Sequence, residues 1–285
     1  MKPAAFEYRR AHSLSEALGL LAEHAEGGKI LAGGQSLVPA MNFRLARPEV
    51  LIDLNTASEL DYIQVDRGQL LIGALARHAH LDRPIANGPV GRILPEIAAF
   101  IAHLPIRMRG TFAGSLAHAD PAAEWCAVAL GLEADIVAES ASHGRRAVSA
   151  SSFFRTIFTT TLHSDELIKE IRLPLLDDAW RCGFAEFSRR AGDYALAMAF
   201  VVIRLEGNKV AEARIAIGSV AATPVLAPAA AAKLIGTVPD HGVIDEVISL
   251  ARDEVEVTGD IHGSADYRRH LVGVMTKRAI ARALV

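Results

Sequence analysis

Residues 32–36 read Ala32-Gly33-Gly34-Gln35-Ser36, and residues 109–117 read Arg109-Gly110-Thr111-Phe112-Ala113-Gly114-Ser115-Leu116-Ala117. The first stretch follows a short strand pattern, Lys29 to Ala32. It precedes a helix pattern, Leu37 to Ala46, with Pro39 in the first turn, where a missing amide hydrogen costs little. In such a strand–turn–helix, glycines let the backbone approach a phosphate because no Cβ intervenes. The amides of the turn and of the helix start then face the anion. Ser36 can add one more bond or simply cap the helix. The second stretch is punctuated by glycine and short of helix signals. Its Thr111 and Ser115 hydroxyls suit a second phosphate contact, and a glycine-kinked strand accounts for it equally well. A dinucleotide has two phosphates and an extended shape, so two such loops together say more than either alone.

Around these turns the chain alternates. Ser13-Leu14-Ser15-Glu16 has the form of a capping box, followed by one apolar helical face, Leu14, Ala17, Leu18 and Leu21, that Gly27-Gly28 ends. Val50 to Leu54 reads as a strand. Leu60 to Val65 and Gln69 to Leu75 read as a hairpin around Asp66-Arg67-Gly68. Leu94 to His103 reads as an apolar helix, and Asp120-Pro121 as a helix start running to about Leu130. Ala134 to Ala138 and Glu166 to Leu173 complete the strands of this part. A boundary falls at Pro174 to Asp178. Beyond it come three strands, Arg181 to Ser188, Ala195 to Leu205 and Val210 to Val220, the last two joined by Glu206-Gly207-Asn208-Lys209. Three helical stretches follow, at about 224–234, 243–255 and 265–283. Strands followed by helices define an α+β domain.

The bulk composition excludes several classes. At 285 residues, two domains are expected. A hydrophobic content of 51% and a charged content of 22% describe a chain with real cores. With a net charge of −3 and no basic stripe, no nucleic-acid or acidic-lipid partner is expected. Cys126 and Cys182 are far apart, and zinc and iron–sulfur sites need clustered thiolates. No uncharged apolar run suggests a membrane span. Arg9-Arg10 reads as solvated surface, because Glu16 and Glu23 interrupt what an export signal would leave apolar. A cytoplasmic location is the expectation. No G-x-G-x-x-G follows a strand and no P-loop is present. His78 and His80 lack a third ligand partner, so they read as surface or hydrogen-bonded core histidines. His118 stands out because it lies between the second turn and Asp120.

At the two turns, and nearly throughout, the sequence resembles the FAD-binding medium subunit of the molybdenum hydroxylases, the group of the carbon monoxide and xanthine dehydrogenase flavoprotein chains. The resemblance rests on Ala32 to Ser36, Arg109 to Ser115, Ala119-Asp120-Pro121, Asp165 to Ile168 and Gly192-Asp193-Tyr194-Ala195. Asp260 to Ser264 is similar to bacterial enzymes that hydroxylate N-heteroaromatics such as quinoline or nicotine. The resemblance implies an α+β chain. A two-subdomain PCMH-type (vanillyl-alcohol-oxidase-like) FAD-binding domain would cover residues 1–175, split near 56. A C-terminal domain of a three-stranded antiparallel sheet and helices would cover 176–285. It implies FAD in this chain, held by Leu31, Ala32, Gly33, Gly34, Gln35, Ser36 and Leu37 and by Thr111, Ala113, Gly114 and Ser115. Glu124 would bind the nucleotide ribose with Asp120 nearby, His118 would belong to the same cofactor site, Ile101 and Ile168 would make apolar contacts, and Tyr194 would lie near the isoalloxazine. Partners implied are a small chain with [2Fe–2S] clusters and a large molybdopterin-binding chain, in a dimer of heterotrimers. Two departures stand out: Ala113 where many relatives have glycine, and Glu186 where many have lysine. The implied role is electron transfer from the clusters to an external acceptor, with no catalytic side chain here. A scaffold subunit that has lost FAD and a stand-alone flavin oxidoreductase are the alternatives.

Overall fold

The computed structural model describes residues 1–285. The first layer is small and parallel. Strand β1 is Glu7–Arg10, helix α1 Leu14–Glu23, β2 Gly28–Leu31, α2 Leu37–Asn42 and β3 Val50–Asp53. The strands lie in the order β1-β3-β2, both pairs parallel. Ser13 Oγ caps α1 by accepting from Glu16 N at 3.1 Å. The Glu16 carboxylate reaches back to His12 N at 2.7 Å, one residue earlier than a capping box places it. The apolar stripe Ala17, Leu18 and Leu21 is buried. Arg9 and Arg10, read as surface, are indeed exposed, but they belong to edge strand β1.

The second layer is antiparallel. Its elements are β4 Ile63–Asp66, β5 Gln69–Gly73, α3 Gly88–Ala98, α4 Leu104–Arg107, α5 Phe112–His118, α6 Glu124–Gly131, β6 Asp135–Ser140, β7 Gly144–Ser149, α7 Ala150–Phe153, β8 Phe154–Thr156, β9 Thr159–Thr160 and β10 Leu167–Pro174. Five strands run in the order β4-β5-β10-β6-β7, while β8 and β9 form a separate two-stranded ribbon. Arg67 and Gly68 both take positive φ in the β4–β5 turn, as the primed hairpin turns require.

Three expectations are corrected here. The apolar helix read over 94–103 lies instead at α3, opened by Pro89 in its first turn and ended before Ala102, which is left-handed. The stretch 107–117 is neither strand nor irregular: Thr111 caps α5 by accepting from Gly114 N at 2.9 Å, a start signal masked by the flanking glycines. Asp120 does not open α6. Its Oδ1 accepts from Ala122 N at 2.9 Å in a local turn, and the helix begins at Glu124. Strand β7 gave no sequence signal because it is a polar edge strand with one buried residue, Val148.

The third layer carries β11 Trp180–Phe187, β12 Ala197–Glu206, β13 Lys209–Gly218, β14 Val225–Leu226, α8 Pro228–Leu234, α9 His241–Glu254 and α10 Ala265–Ala283. The expected three-stranded meander gains a fourth, two-residue strand, giving β11-β12-β13-β14. Strand β12 is buried on both faces. Met198, Phe200 and Val202 enter the core of the first two layers, and Ala199, Val201 and Ile203 enter the core under α10. Alternation of period two thus joins two cores through one strand. Buried Arg268 anchors the loop before α10, donating to the Leu196 and Ser219 carbonyls at 3.0 and 2.7 Å and to Asp260 at 2.7 Å.

Helix α10 lies so close to β11 that a Cβ at Gly183 would fall 2.0 Å from the Ala279 carbonyl oxygen. Gly183→Ala is therefore expected to destabilise by about 1–3 kcal/mol, the cost of overpacking. A lowered urea midpoint with an unchanged far-ultraviolet spectrum would show this, and an unchanged midpoint would refute the tight packing.

Candidate functional site

A cleft of about 570 Å³ opens between the parallel and antiparallel layers, and the two glycine turns meet in it. Contact between them is direct: a Cβ at Gly33 would lie 2.4 Å from the Arg109 carbonyl oxygen and 2.6 Å from Gly110 Cα. Gly34 is left-handed, φ 71°, over the Leu31 side chain. Arg77 holds the junction. Its guanidinium donates to the Arg109 carbonyl and to Asn55 Oδ1, and Asn55 Nδ2 donates to the Ala32 carbonyl at 2.9 Å. Asp53 accepts from Asn55 N at 2.8 Å and from the Tyr8 hydroxyl. Burial alone would raise the Asp53 carboxyl, but the Tyr8 and Asn55 hydrogen bonds outweigh it and keep the group low and ionised.

The donors of the cleft are backbone groups. The amides of Gly33, Gly34, Gln35, Ser36 and Leu37 donate to no protein acceptor, and neither do those of Thr111 and Ala113. Ser36 stands at the start of α2 without making a capping bond, so the simple-cap reading of its hydroxyl does not hold. Gln35 turns its amide to the Gly33 carbonyl at 3.0 Å. Thr111 spends its oxygen on Gly114 N, which leaves the Ser115 hydroxyl as the freer of the two. Unpaired amides from two turns lining one cleft offer donors suited to an anion. Lys29 adds one cationic side chain to the wall.

His78 lies under the second turn and is buried. Its Nδ1 accepts from Trp125 Nε1 at 2.9 Å, its amide donates to the Gly110 carbonyl at 3.0 Å, and a Cβ at Gly110 would press on its ring at 2.7 Å. Burial first, then Arg107 and Arg77, push it down to about 4, so the ring is neutral and structural. The sequence placed it among hydrogen-bonded core or surface histidines. Its support of the second turn is visible only in three dimensions, as are the contributions of Arg77 and Asn55. Also unforeseen is the strap of residues 158–164. Phe158, left-handed, stacks on His118 with ring centroids 4.8 Å apart. Glu166 fixes the strap by pairing both oxygens with Arg146 at 2.6 and 2.7 Å and accepting from His163 N at 2.8 Å.

The cleft gathers Ala32 to Leu37, Thr111, Ala113 to Ser115, His118 and Ile168. Leu31 lies just behind Gly34. Ile101 is buried in the core. Asp120, Glu124 and Tyr194 stand apart from these walls, near Glu186. Tyr194 is 64% exposed. Burial raises the Glu124 and Glu186 carboxyls, and each is raised further by an acidic neighbour, Asp120 for Glu124 and Glu124 for Glu186. Glu186 Oε2 is buried without a partner. Burial also lowers His118, against the opposing effect of Asp120. Ala113 has helical backbone inside α5, so it carries none of the left-handed strain that its replacement of glycine could have caused.

Residues 4–176 match the family described as the FAD binding domain in molybdopterin dehydrogenase, and residues 183–283 match the CO dehydrogenase flavoprotein C-terminal domain. The chain is 38% identical over 283 residues to caffeine dehydrogenase subunit beta of Pseudomonas sp. strain CBB1, covering 99% of this chain and 96% of that one. It superposes on carbon monoxide dehydrogenase from Hydrogenophaga pseudoflava, in the form lacking the Mo-pyranopterin moiety, with a TM-score of 0.95 and 36% identity, covering 100% of this chain and 99% of that one. It superposes on quinoline 2-oxidoreductase from Pseudomonas putida 86 with a TM-score of 0.92 and 38% identity, covering 99% and 98%. The chain belongs to the FAD-binding medium-subunit family of the molybdenum hydroxylases, a class of oxidoreductase.

Two outcomes are expected from this geometry. Gly33→Ala forces the turns apart and lowers the FAD content of the purified chain, read from its visible absorption; full content would contradict the close contact. His78 titrates at about 4 in the fold against an ordinary 6.5, so between these values the unfolded chain binds more protons and stability falls as pH falls. The loss approaches about 3 kcal/mol near pH 4. Urea midpoints measured from pH 7 to pH 4 should fall less steeply for His78→Gln than for the parent chain.

Proposed function

We propose that this chain binds FAD in the cleft between its first two layers and serves as the electron-transfer subunit of a molybdopterin-dependent hydroxylase. The observation that carries the reading is the run of unpaired amides from Gly33 to Leu37, together with those of Thr111 and Ala113, in residues that line one cleft. The residues fit the group. A pyrophosphate satisfies unpaired amide donors, the Ser36 and Ser115 hydroxyls can each add a bond, and a cleft of about 570 Å³ lies in the range of cofactor sites. The apolar Ile168 side offers contact to the ribityl–flavin part, while Asp120 and Glu124 are assigned to the nucleotide side and Tyr194 to the neighbourhood of the isoalloxazine. Ile101 acts from the core behind the wall. Bound FAD supplies a carrier able to exchange electrons one or two at a time.

This chain's own residues bind, orient and shield. His78 is neutral and committed to Trp125, Glu166 is committed to Arg146, and neither is placed to move a proton. Electrons would come from [2Fe–2S] clusters in a small partner chain, after substrate oxidation at the molybdopterin centre of a large one, and leave to an external acceptor. The subunit names of the relatives, and the molybdenum cofactor named for the Hydrogenophaga enzyme, support such partners. A dimer of heterotrimers in the cytoplasm is the assembly proposed. No helix here is long and apolar enough to cross a membrane.

Rapid mixing tests the role. With substrate, FAD absorption should bleach only when both partner chains are present. Hydroxylation by the isolated flavin-loaded chain would overturn the proposal. Ser36→Ala should raise the FAD dissociation constant roughly ten-fold, the loss of one charge-assisted hydrogen bond; an unchanged constant in a fluorescence titration would remove Ser36 from the site.

A further inference from the structure

A second cleft, of about 580 Å³, lies on the seam between the FAD-binding layers and the C-terminal domain, where α3 approaches β11 and the end of α10. Arg92 of α3, Arg181 of β11 and Arg282 of α10 all line it. Two of these guanidinium groups are held in place by main chain. Arg181 Nη1 donates to the Asp178 and Trp180 carbonyls at 2.5 and 2.8 Å, and Arg282 Nη1 donates to the Phe184 carbonyl at 2.5 Å. Each keeps further N–H donors unspent. Glu96 and Asp178 share the cleft, yet neither makes an ion pair with any of the three arginines within 4.0 Å. The positive field reaches Cys182 beneath: burial pushes its thiol up to about 12, while Arg214 and Arg92 pull the other way. Ile93 and Ala283 give the cleft an apolar side.

Three guanidinium groups line one cleft without an ion pair to a carboxylate, and a bound oxyanion would supply the missing counter-charge. The guanidinium fork matches phosphate and carboxylate oxygens in bidentate geometry. We propose that this seam cleft is a binding site for a small organic oxyanion, with its charged head on Arg92, Arg181 and Arg282. The ligand bridges the two domains, since Arg92 comes from one and Arg181 and Arg282 from the other. This inference is independent of the flavin reading and concerns a different cleft.

Calorimetric titration of the FAD-saturated full chain with phenyl phosphate and with phthalate tests it, because saturating FAD closes the first cleft to phosphate. One saturable site per chain is expected. The tighter probe identifies the head as phosphate monoester or dicarboxylate, and either supports the site. Arg181→Gln should weaken binding about ten-fold or more, and Arg92→Glu should abolish it, with flavin content and circular dichroism unchanged. Arg92→Lys, which keeps charge but loses the fork, should weaken it by less. No saturable heat with either probe, or affinity unaffected by these substitutions, would overturn the proposal. So would loss of binding when the partner chains are added, which would make the arginines a contact for an acidic partner segment instead.

Discussion

The contact of Gly33 with the Arg109 carbonyl and Gly110 is the constraint on which the rest of the site depends. It brings main chain of the parallel layer against main chain of the antiparallel layer at a distance no side chain would allow. Backbone packed this closely cannot all pair internally, and the amides left over become the donors of the cleft. A binding site built in this way needs little charge, which accords with the near-neutral balance of the chain. Its precision comes from what stands behind it. Arg77, Asn55 and Asp53 tie the turns from one side, and His78 with Trp125 supports them from the other.

The same logic of shared structure joins the domains. Strand β12 sends alternate side chains into two cores, so the C-terminal domain is welded to the cleft-bearing layers by apolar packing. Motion at such a seam is costly because packed apolar side chains would have to separate. Glu124 and Glu186 add acidic groups to this junction. Burial raises both carboxyls, and an acidic neighbour raises each further, Asp120 for Glu124 and Glu124 for Glu186.

Much of this was legible in the sequence, for physical reasons. The Ala32 to Ser36 turn follows a strand and opens a helix, and both flanks carry their own local signals. The Glu206 to Lys209 turn and the last two helices stand close to where the pattern puts them, whereas the stretch read as helical from about 224 first pairs as β14 and turns helical only at Pro228. Other parts depend on distant partners. Helix α5 was hidden because it is short and Gly114 weakens its propensity, while Thr111 caps it and Phe112 packs on Trp125 at 4.7 Å. The start of α6 was misplaced because Asp120 satisfies a local turn as readily as a helix cap. Arg77, Asn55 and the strap at 158–164 join the site only through contacts across many residues, and no local pattern announces them. Ala113 illustrates the limit of reading a substitution by residue type: whether it strains the chain depended on its φ, and in a helix it does not.

Amide hydrogen exchange, with and without FAD, tests the central claim most directly. The account predicts that Gly33 to Leu37 and Thr111 to Ser115 gain protection together on adding FAD, because one pyrophosphate engages both turns. Protection confined to one turn, or absent from both while FAD still binds, would contradict it.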